Sequence, residues 1–214
     1  MTKSPINSAI GTSAITKKSM GSAQEDSQTS KNSSSDKEKT KTSMTLTLDD
    51  VFEGNLKAMY NAEQQLIQAI PEMAKAADSE DLQEVLIQHL EQTKRQAERL
   101  EKIFIRLKLE KEDQHKCEAM EALINEGKKI IEKFEEGPVR DAALIIAAQK
   151  IEHHEIAAYG SLCELADVLD YYKVFDTLNR SLEEEKEADE VLTEVAQEIN
   201  DEAAEMVEEE YDSM

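Results

Sequence analysis

The sequence contains few of the residues that interrupt helices or cross-link small folds. Its 214 residues include 6 glycines, 3 prolines, 2 cysteines and no tryptophan, and aromatic residues make up only 4%. Scarce turn residues, together with abundant Ala, Leu, Ile, Glu, Lys and Gln, predict an all-α protein. Cys117 and Cys163 lack metal-ligand spacing, so we expect two reduced core residues, although a disulfide between them stays open.

Positive charge is also scarce. There are 25 Lys and Arg residues against 47 Asp and Glu, which gives a formal net charge of −22. Nucleic-acid binding needs clustered Lys and Arg, so we expect no nucleic-acid partner. No apolar run reaches membrane-spanning length, so we expect no membrane partner. The two cysteines, interpreted as reduced, lead us to expect a cytoplasmic location. Strong acidity favours solubility and attracts cations.

The composition changes near residue 43. Residues 1–43 are rich in Ser, Thr, Lys and Asn and contain no aromatic residue, so burial cannot offset the entropy of ordering them. We predict a disordered tail, and it lacks the apolar core of a secretory signal. Residues 44–199 are the predicted helical bundle. Residues 200–214 are a predicted acidic tail that frays.

Apolar periodicity within the predicted bundle indicates four long helices and one short helix. Their approximate ranges are 48–77, 80–109, 115–135, 139–169 and 174–199. Short connections pair the first two helices and the last two, while the short helix lies in the connection between these hairpins. The prediction is therefore a four-helix bundle of two antiparallel hairpins joined by a crossover that contains a short extra helix, as in ferritin-like folds.

Acidic residues interrupt the apolar faces of these helices. Glu152 and Glu155 fall on the face marked by Ile151 and Tyr159, and Glu63 also has apolar neighbours. On the last helix, Glu185 and Asp189 lie between leucines, and Gln96 is a polar position on the second helix. Buried carboxylates are costly unless they are paired or bound to a cation.

Both hairpins place these groups near one level of the bundle. Glu63 lies fourteen residues before the predicted end of its helix, and fourteen residues into the next helix is about position 94, near Gln96. The same count from Glu155 leads into the last helix close to Glu185 and Asp189. Inward carboxylates at one level predict a site for two iron or manganese ions. The predicted ligands are Glu63, Gln96, Glu152, Glu155, Glu185 and Asp189.

Other interpretations of the same residues stay open at this point. The acids could face solvent on rotated helices, or pair with basic groups in a non-catalytic helical scaffold. His89 is interpreted as a core histidine, and His153 as a group that donates a hydrogen bond to a ligand carboxylate. The runs 183–185 and 208–210 are interpreted as solvated faces, with Glu185 alone pointing inward.

Several segments together resemble the YciE/YciF family of bacterial ferritin-like stress proteins, over residues from about 46 to 197. They are YNAEQQL at 60–66, HLEQT at 89–93, QAERLE at 96–101, KCEAM at 116–120, RDAAL at 140–144, EHHEIAAYG at 152–160 and EEKEAD at 184–189. The resemblance implies a ferritin-like bundle, a homodimer, a dimetal centre and a link to stress, but no established reaction. It also leads us to expect a Glu where Gln92 stands, and an amide supplies less charge to a metal than a carboxylate does.

Overall fold

The computed structural model describes residues 46–110 and 116–212, with side chains as far as residue 205. The predicted disordered tail, residues 1–43, lies outside the described residues. Within the described ranges the chain forms helices and no strands, which confirms the predicted all-α class. The helices are α1 (Leu48–Ala76), α2 (Glu80–Leu107), α3 (Glu118–Lys133), α4 (Pro138–Val168) and α5 (Tyr172–Asp212).

Local chemistry sets several helix boundaries. The Thr47 hydroxyl accepts from the Asp50 N–H at 3.2 Å, and the Asp50 carboxylate accepts from the Thr47 N–H at 2.7 Å, so α1 begins with a reciprocal cap. Ser79 caps α2 by accepting from the N–H of Leu82 at 3.3 Å. Before α4, Gly137 has φ +140°, a conformation that favours glycine, and Pro138 follows as the first helical residue.

The four long helices form a bundle in which neighbours are antiparallel. Helix α1 packs against α2 and α4, α5 packs against α2 and α4, and α3 packs against α1 and α4. At one end of the bundle the Tyr171 hydroxyl donates to Asp49 at 2.7 Å. At the other end the Asp78 N–H donates to Asp141 at 3.0 Å, which fixes the opposite directions of α1 and α4. The crossover between the hairpins contains α3, as predicted.

A buried carboxylate fastens the two hairpins together. Asp141, in the first turn of α4, is 1% exposed. It accepts from the N–H groups of Asp78 and Ser79, at 3.0 and 2.7 Å, in the turn between α1 and α2. These N–H groups lie where α2 begins and have no partner within that helix, so Asp141 satisfies donors that the helix leaves free.

Helix α5 is longer than the sequence pattern predicts. It continues past Ile199 to Asp212, through residues assigned above to an acidic tail. Ile199 is 3% exposed, and the described side chains that follow it are exposed or half-buried. Through residue 205, the extension therefore depends on the helix propensity of Glu and Ala and not on a buried face. No helix in the described part of the chain is both long and apolar enough to cross a membrane.

Candidate metal centre

Four carboxylates from three helices point into the middle of the bundle. Glu63 of α1, Glu152 and Glu155 of α4 and Glu185 of α5 are 0, 2, 1 and 0% exposed. Glu152 and Glu155 share a helix face because residues three apart in sequence lie on one side of a helix. Each of the four carboxylates has one buried oxygen without a hydrogen-bond partner. Such unpaired buried oxygens are costly, and they are concentrated here in one place.

A histidine from α2 joins three of these carboxylates. His89, Glu152, Glu155 and Glu185 each offer one ligand atom, and these four atoms lie within 4.8 Å of one another. His89 Nε2 is 3.3 Å from Glu152 Oε1, and the side chain of Gln92 also interacts with the ring. We call these four residues the cluster. The sequence does contain a signal for His89 as a ligand: it lies two helical turns before Gln96, on the same face of α2.

Glu63 is a further buried carboxylate next to the cluster. Its Oε1 accepts a hydrogen bond from the hydroxyl of Tyr159, which is fully buried, while Oε2 is unpaired. Glu63 is not among the four residues whose ligand atoms converge within 4.8 Å. It is nevertheless close enough for the charge of Glu185 to raise its pKa, after the larger effect of burial. Glu63 therefore lies beside the cluster rather than within it.

Gln96 holds Glu185 in place. Its amide nitrogen donates to Glu185 and also to Glu184 Oε2 at 3.3 Å, while its own oxygen is buried and unpaired. Glu184 in turn accepts from Arg99 Nη2 at 2.7 Å. Glu184 is thus a half-buried ion-pair partner rather than part of a fully solvated face. Gln92 is half-buried on the same helix, and its side chain interacts with that of His89.

Asp189 lies at the border of the cluster, one helical turn after Glu185. Its side chain is 23% exposed, and its Oδ2 is 3.0 Å from Nε2 of His153. Its other oxygen, Oδ1, is buried and unpaired. His153 therefore contacts one of the predicted ligand carboxylates, in the supporting position expected from the sequence.

Burial governs the protonation of these groups. It raises the pKa values of Glu63, Glu152 and Glu155 well above the usual range, and the charge of Glu185 raises them further. For Glu185 itself, burial raises the pKa to about 7. Burial lowers the pKa of His89 to about 4, so its imidazole is neutral near pH 7 and has a lone pair available. Without a cation, burial therefore favours the protonated forms of these carboxyls.

The structure brings the six sequence-predicted ligands together to different degrees. Glu152, Glu155 and Glu185 converge with His89, and Glu63 lies beside them. Gln96 and Asp189 contact or border the cluster without contributing to the group of four. Three or four carboxylates with one neutral imidazole form a donor set that suits iron or manganese.

Known proteins resemble this chain in both sequence and fold. Residues 47–205 match the family described as a domain of unknown function, DUF892. Protein YciF of Escherichia coli K12 is 45% identical over 150 residues, which cover 70% of this chain and 90% of YciF. The crystal structure of that stress protein matches with a TM-score of 0.71 and 43% identity, over 73% of this chain and 99% of YciF.

Two other solved structures extend the comparison. YcfI of Rhodopseudomonas palustris, described as a candidate structural protein, is 36% identical with a TM-score of 0.67, over 71% of this chain and 96% of its own. A protein of Xanthomonas campestris is 18% identical with a TM-score of 0.60, over 77% of this chain and 99% of its own, which shows a common fold. By the family match and by its identity to YciF, the chain belongs to the YciE/YciF-type family of ferritin-like stress proteins.

Proposed function

We propose that this protein is a ferritin-like stress protein whose cluster binds two iron or manganese ions. The observation that carries the proposal is the set of four buried carboxylates, each with an unpaired oxygen, beside a neutral histidine. Unpaired polar atoms at one buried place are unfavourable in the folded chain alone, and a cation would satisfy them together.

Charge supports the same donor set. The four carboxylates would carry four negative charges when ionised, which two divalent ions would balance. The cation Arg99 already has a partner, because it pairs with Glu184. Oxygen donors with a single imidazole favour ions of intermediate hardness, such as ferrous iron and Mn²⁺.

Some of these residues would bind the ions, and others would orient the ligands. Glu152, Glu155, Glu185 and His89 would hold the ions, with Glu63 as a further ligand. Gln96 would fix the orientation of Glu185 through its amide hydrogen bond, and Tyr159 would do the same for Glu63. Bound iron or manganese would supply redox chemistry, with ferrous-iron oxidation or peroxide removal as the proposed reaction. The surrounding apolar core would exclude water from that site.

A helical scaffold without bound metal is the second candidate. Two observations favour it: the relative YcfI is described as a candidate structural protein, and the raised pKa values allow the carboxyls to stay neutral without a cation. In that case Glu63 and Glu185 would have the hydrogen bonds from Tyr159 and Gln96 in place of metal ligation.

Metal loading distinguishes the two candidates. The full chain, purified without chelator, is loaded anaerobically with ferrous iron in about 0.15 M salt, which screens exposed charges. Bound iron and its oxidation by oxygen or peroxide are then measured. We expect about two ions per chain, with a loss of binding in Glu152→Gln and none in Glu164→Gln, a matched change at an exposed position of α4. Near-zero binding that neither substitution alters would favour the scaffold.

Oligomeric state and location are parts of the same proposal. A homodimer follows from the resemblance to the family, and sedimentation of the full chain tests it. A cytoplasmic location is consistent with Cys117 and Cys163, which are both free and buried.

A further inference from the structure

The cluster is closed to solvent, so any cation would need a route to it. His89, Glu152, Glu155 and Glu185 are at most 6% exposed. Three borders of the cluster contain polar side chains that an arriving ion would meet first. They lie between α2 and α5, near the start of α3, and between α4 and α5.

The border between α2 and α5 is unfavourable for a cation. Arg99 lies there, 11% exposed, with its guanidinium paired to Glu184. Arg180 approaches the same carboxylate, with its Nε at 3.6 Å. An incoming divalent ion would meet two positive charges there, and the Glu184 carboxylate is already paired with Arg99.

The border near the start of α3 is closed by a thiol and an imidazole. Cys117 is 9% exposed, and its sulfur lies 3.6 Å from Nε2 of His154. The backbone of Cys117 is also held in place, because its N–H donates to Asn61 at 2.8 Å. Cys117 and His154 therefore present a thiol and an imidazole at this border, and neither is a carboxylate.

Along the border between α4 and α5, the exposed fraction of the side chains falls step by step from the surface to the cluster. His153 is 68% exposed at the surface, and its Nε2 is 3.0 Å from Oδ2 of Asp189. Asp189 is 23% exposed and has a buried, unpaired Oδ1. Glu152 is 2% exposed, has an unpaired Oε2, and is near enough to feel the charge of Asp189. Glu185 lies one turn away on the helix of Asp189.

We propose that Asp189, which His153 covers, is an uptake site through which a divalent cation passes from solvent to the cluster. The inference rests on the proposed function. The exposed ring of His153 turns away from Asp189 and frees Oδ2, while Oδ1 already faces the interior. The carboxylate binds the ion first, and the ion then moves to Glu152 and Glu185. Asp189 is thus a transfer position and not a permanent ligand.

The test measures the rate of metal uptake and its final extent separately. Metal-free full chain is mixed with Mn²⁺, and the loss of the free-ion signal in electron paramagnetic resonance is followed with time. A local carboxylate that attracts the ion accelerates binding by tenfold or more. We therefore expect Asp189→Asn to slow uptake about tenfold while the final ratio of Mn²⁺ to protein stays at the wild-type value.

Three further variants make the result specific. Glu190→Gln removes the same charge from the exposed neighbouring residue, and we expect it to leave the rate within twofold of wild type. His153→Ala uncovers Asp189, so uptake should be as fast as in the wild type or faster. Cys117→Ser, at the competing border, should leave the rate unchanged.

Several results would overturn the inference. Equal rates in Asp189→Asn and Glu190→Gln would do so, as would slow uptake in Cys117→Ser with a normal rate in Asp189→Asn. A final ratio that falls together with the rate would make Asp189 a ligand instead of a transfer position. If the wild type binds no Mn²⁺ and no ferrous iron, the proposed function itself fails, which is a different outcome from normal wild-type binding with an unaffected Asp189→Asn rate.

Discussion

Replacing Glu185 by Gln should stabilise the metal-free protein at alkaline pH and weaken it as a metal binder. Burial raises the pKa of Glu185 from 4.5 to about 7 in the folded chain. A carboxyl whose pKa is raised by folding stabilises the native state while it is protonated. That stability is complete below pH 4.5 and is lost as pH rises through 7. The neutral amide of Glu185→Gln has no proton to lose, so the variant escapes this loss.

The size of the effect follows from the two pKa values. Each pH unit between 4.5 and about 7 corresponds to about 1.4 kcal/mol, so the ionised carboxylate costs about 3 kcal/mol. We expect the free energy of unfolding of Glu185→Gln to match the wild type near pH 4.5 and to exceed it by about 3 kcal/mol by pH 8. Gln96 can still donate to the introduced side-chain oxygen, so the hydrogen bond at this position is retained.

Urea unfolding at several pH values, with a chelator present, measures the difference. Repeating the series with excess Mn²⁺ should reverse the order, because a ligand that binds only the folded state adds stability and the variant has lost a carboxylate for it. Glu183→Gln is the matched control, since Glu183 is exposed and pairs with Lys186 at 2.8 Å on the surface. Parallel pH curves for wild type and Glu185→Gln would refute the reasoning, because they would mean that Glu185 ionises freely in the folded chain.

Two further substitutions test buried hydrogen bonds made by residues outside the cluster. Tyr159→Phe removes the hydroxyl that donates to Glu63 and leaves both carboxylate oxygens of Glu63 unpaired. The free energy of unfolding, measured with urea near neutral pH, should therefore fall by about 1–3 kcal/mol. Asp141→Ala leaves the N–H groups of Asp78 and Ser79 without their acceptor, and we expect the thermal midpoint to fall with a loss of about 2–3 kcal/mol.

Matched changes at exposed positions serve as controls for these two predictions. Tyr172→Phe removes a hydroxyl that donates to Asp170 at the surface, and Asp176→Ala removes an exposed carboxylate from α5. Both should stay within about 0.5 kcal/mol of wild type. If Tyr159→Phe or Asp141→Ala behaves like its control, then water or another group satisfies the partner that we describe as buried.

The bundle and the level of its acids could be predicted from sequence because helical geometry is regular. Ile151 and Tyr159 mark the buried face of α4, and the fixed rise per residue brings Glu155 to the level of Glu185. The same regularity places Glu63 close by. All three acids are buried in the structure, so an apolar face interrupted by carboxylates was a sufficient signal.

Finer assignments depend on packing that the sequence pattern does not contain. Whether His89 or Gln92 faces the cluster depends on a rotation of α2 by a fraction of a turn, which is set by contacts with α1 and α5. The burial of Asp141 follows from where another hairpin's turn lies, so no local pattern on α4 predicts it. The end of α5 depends on intrinsic helix propensity, because apolar periodicity stops at Ile199.

The long α5 also determines how ions distribute around the molecule. Its final turns display exposed carboxylates at Asp201, Glu202 and Glu205, and the chain carries a net charge of −22. Such a surface gathers a diffuse atmosphere of counterions that exchange rapidly and are displaced by monovalent salt. In dilute buffer, Mg²⁺ and Mn²⁺ will accumulate along this helix in proportion to their bulk concentrations, independently of any binding at the buried cluster. Selectivity between metals can therefore arise only where water is stripped from the ion.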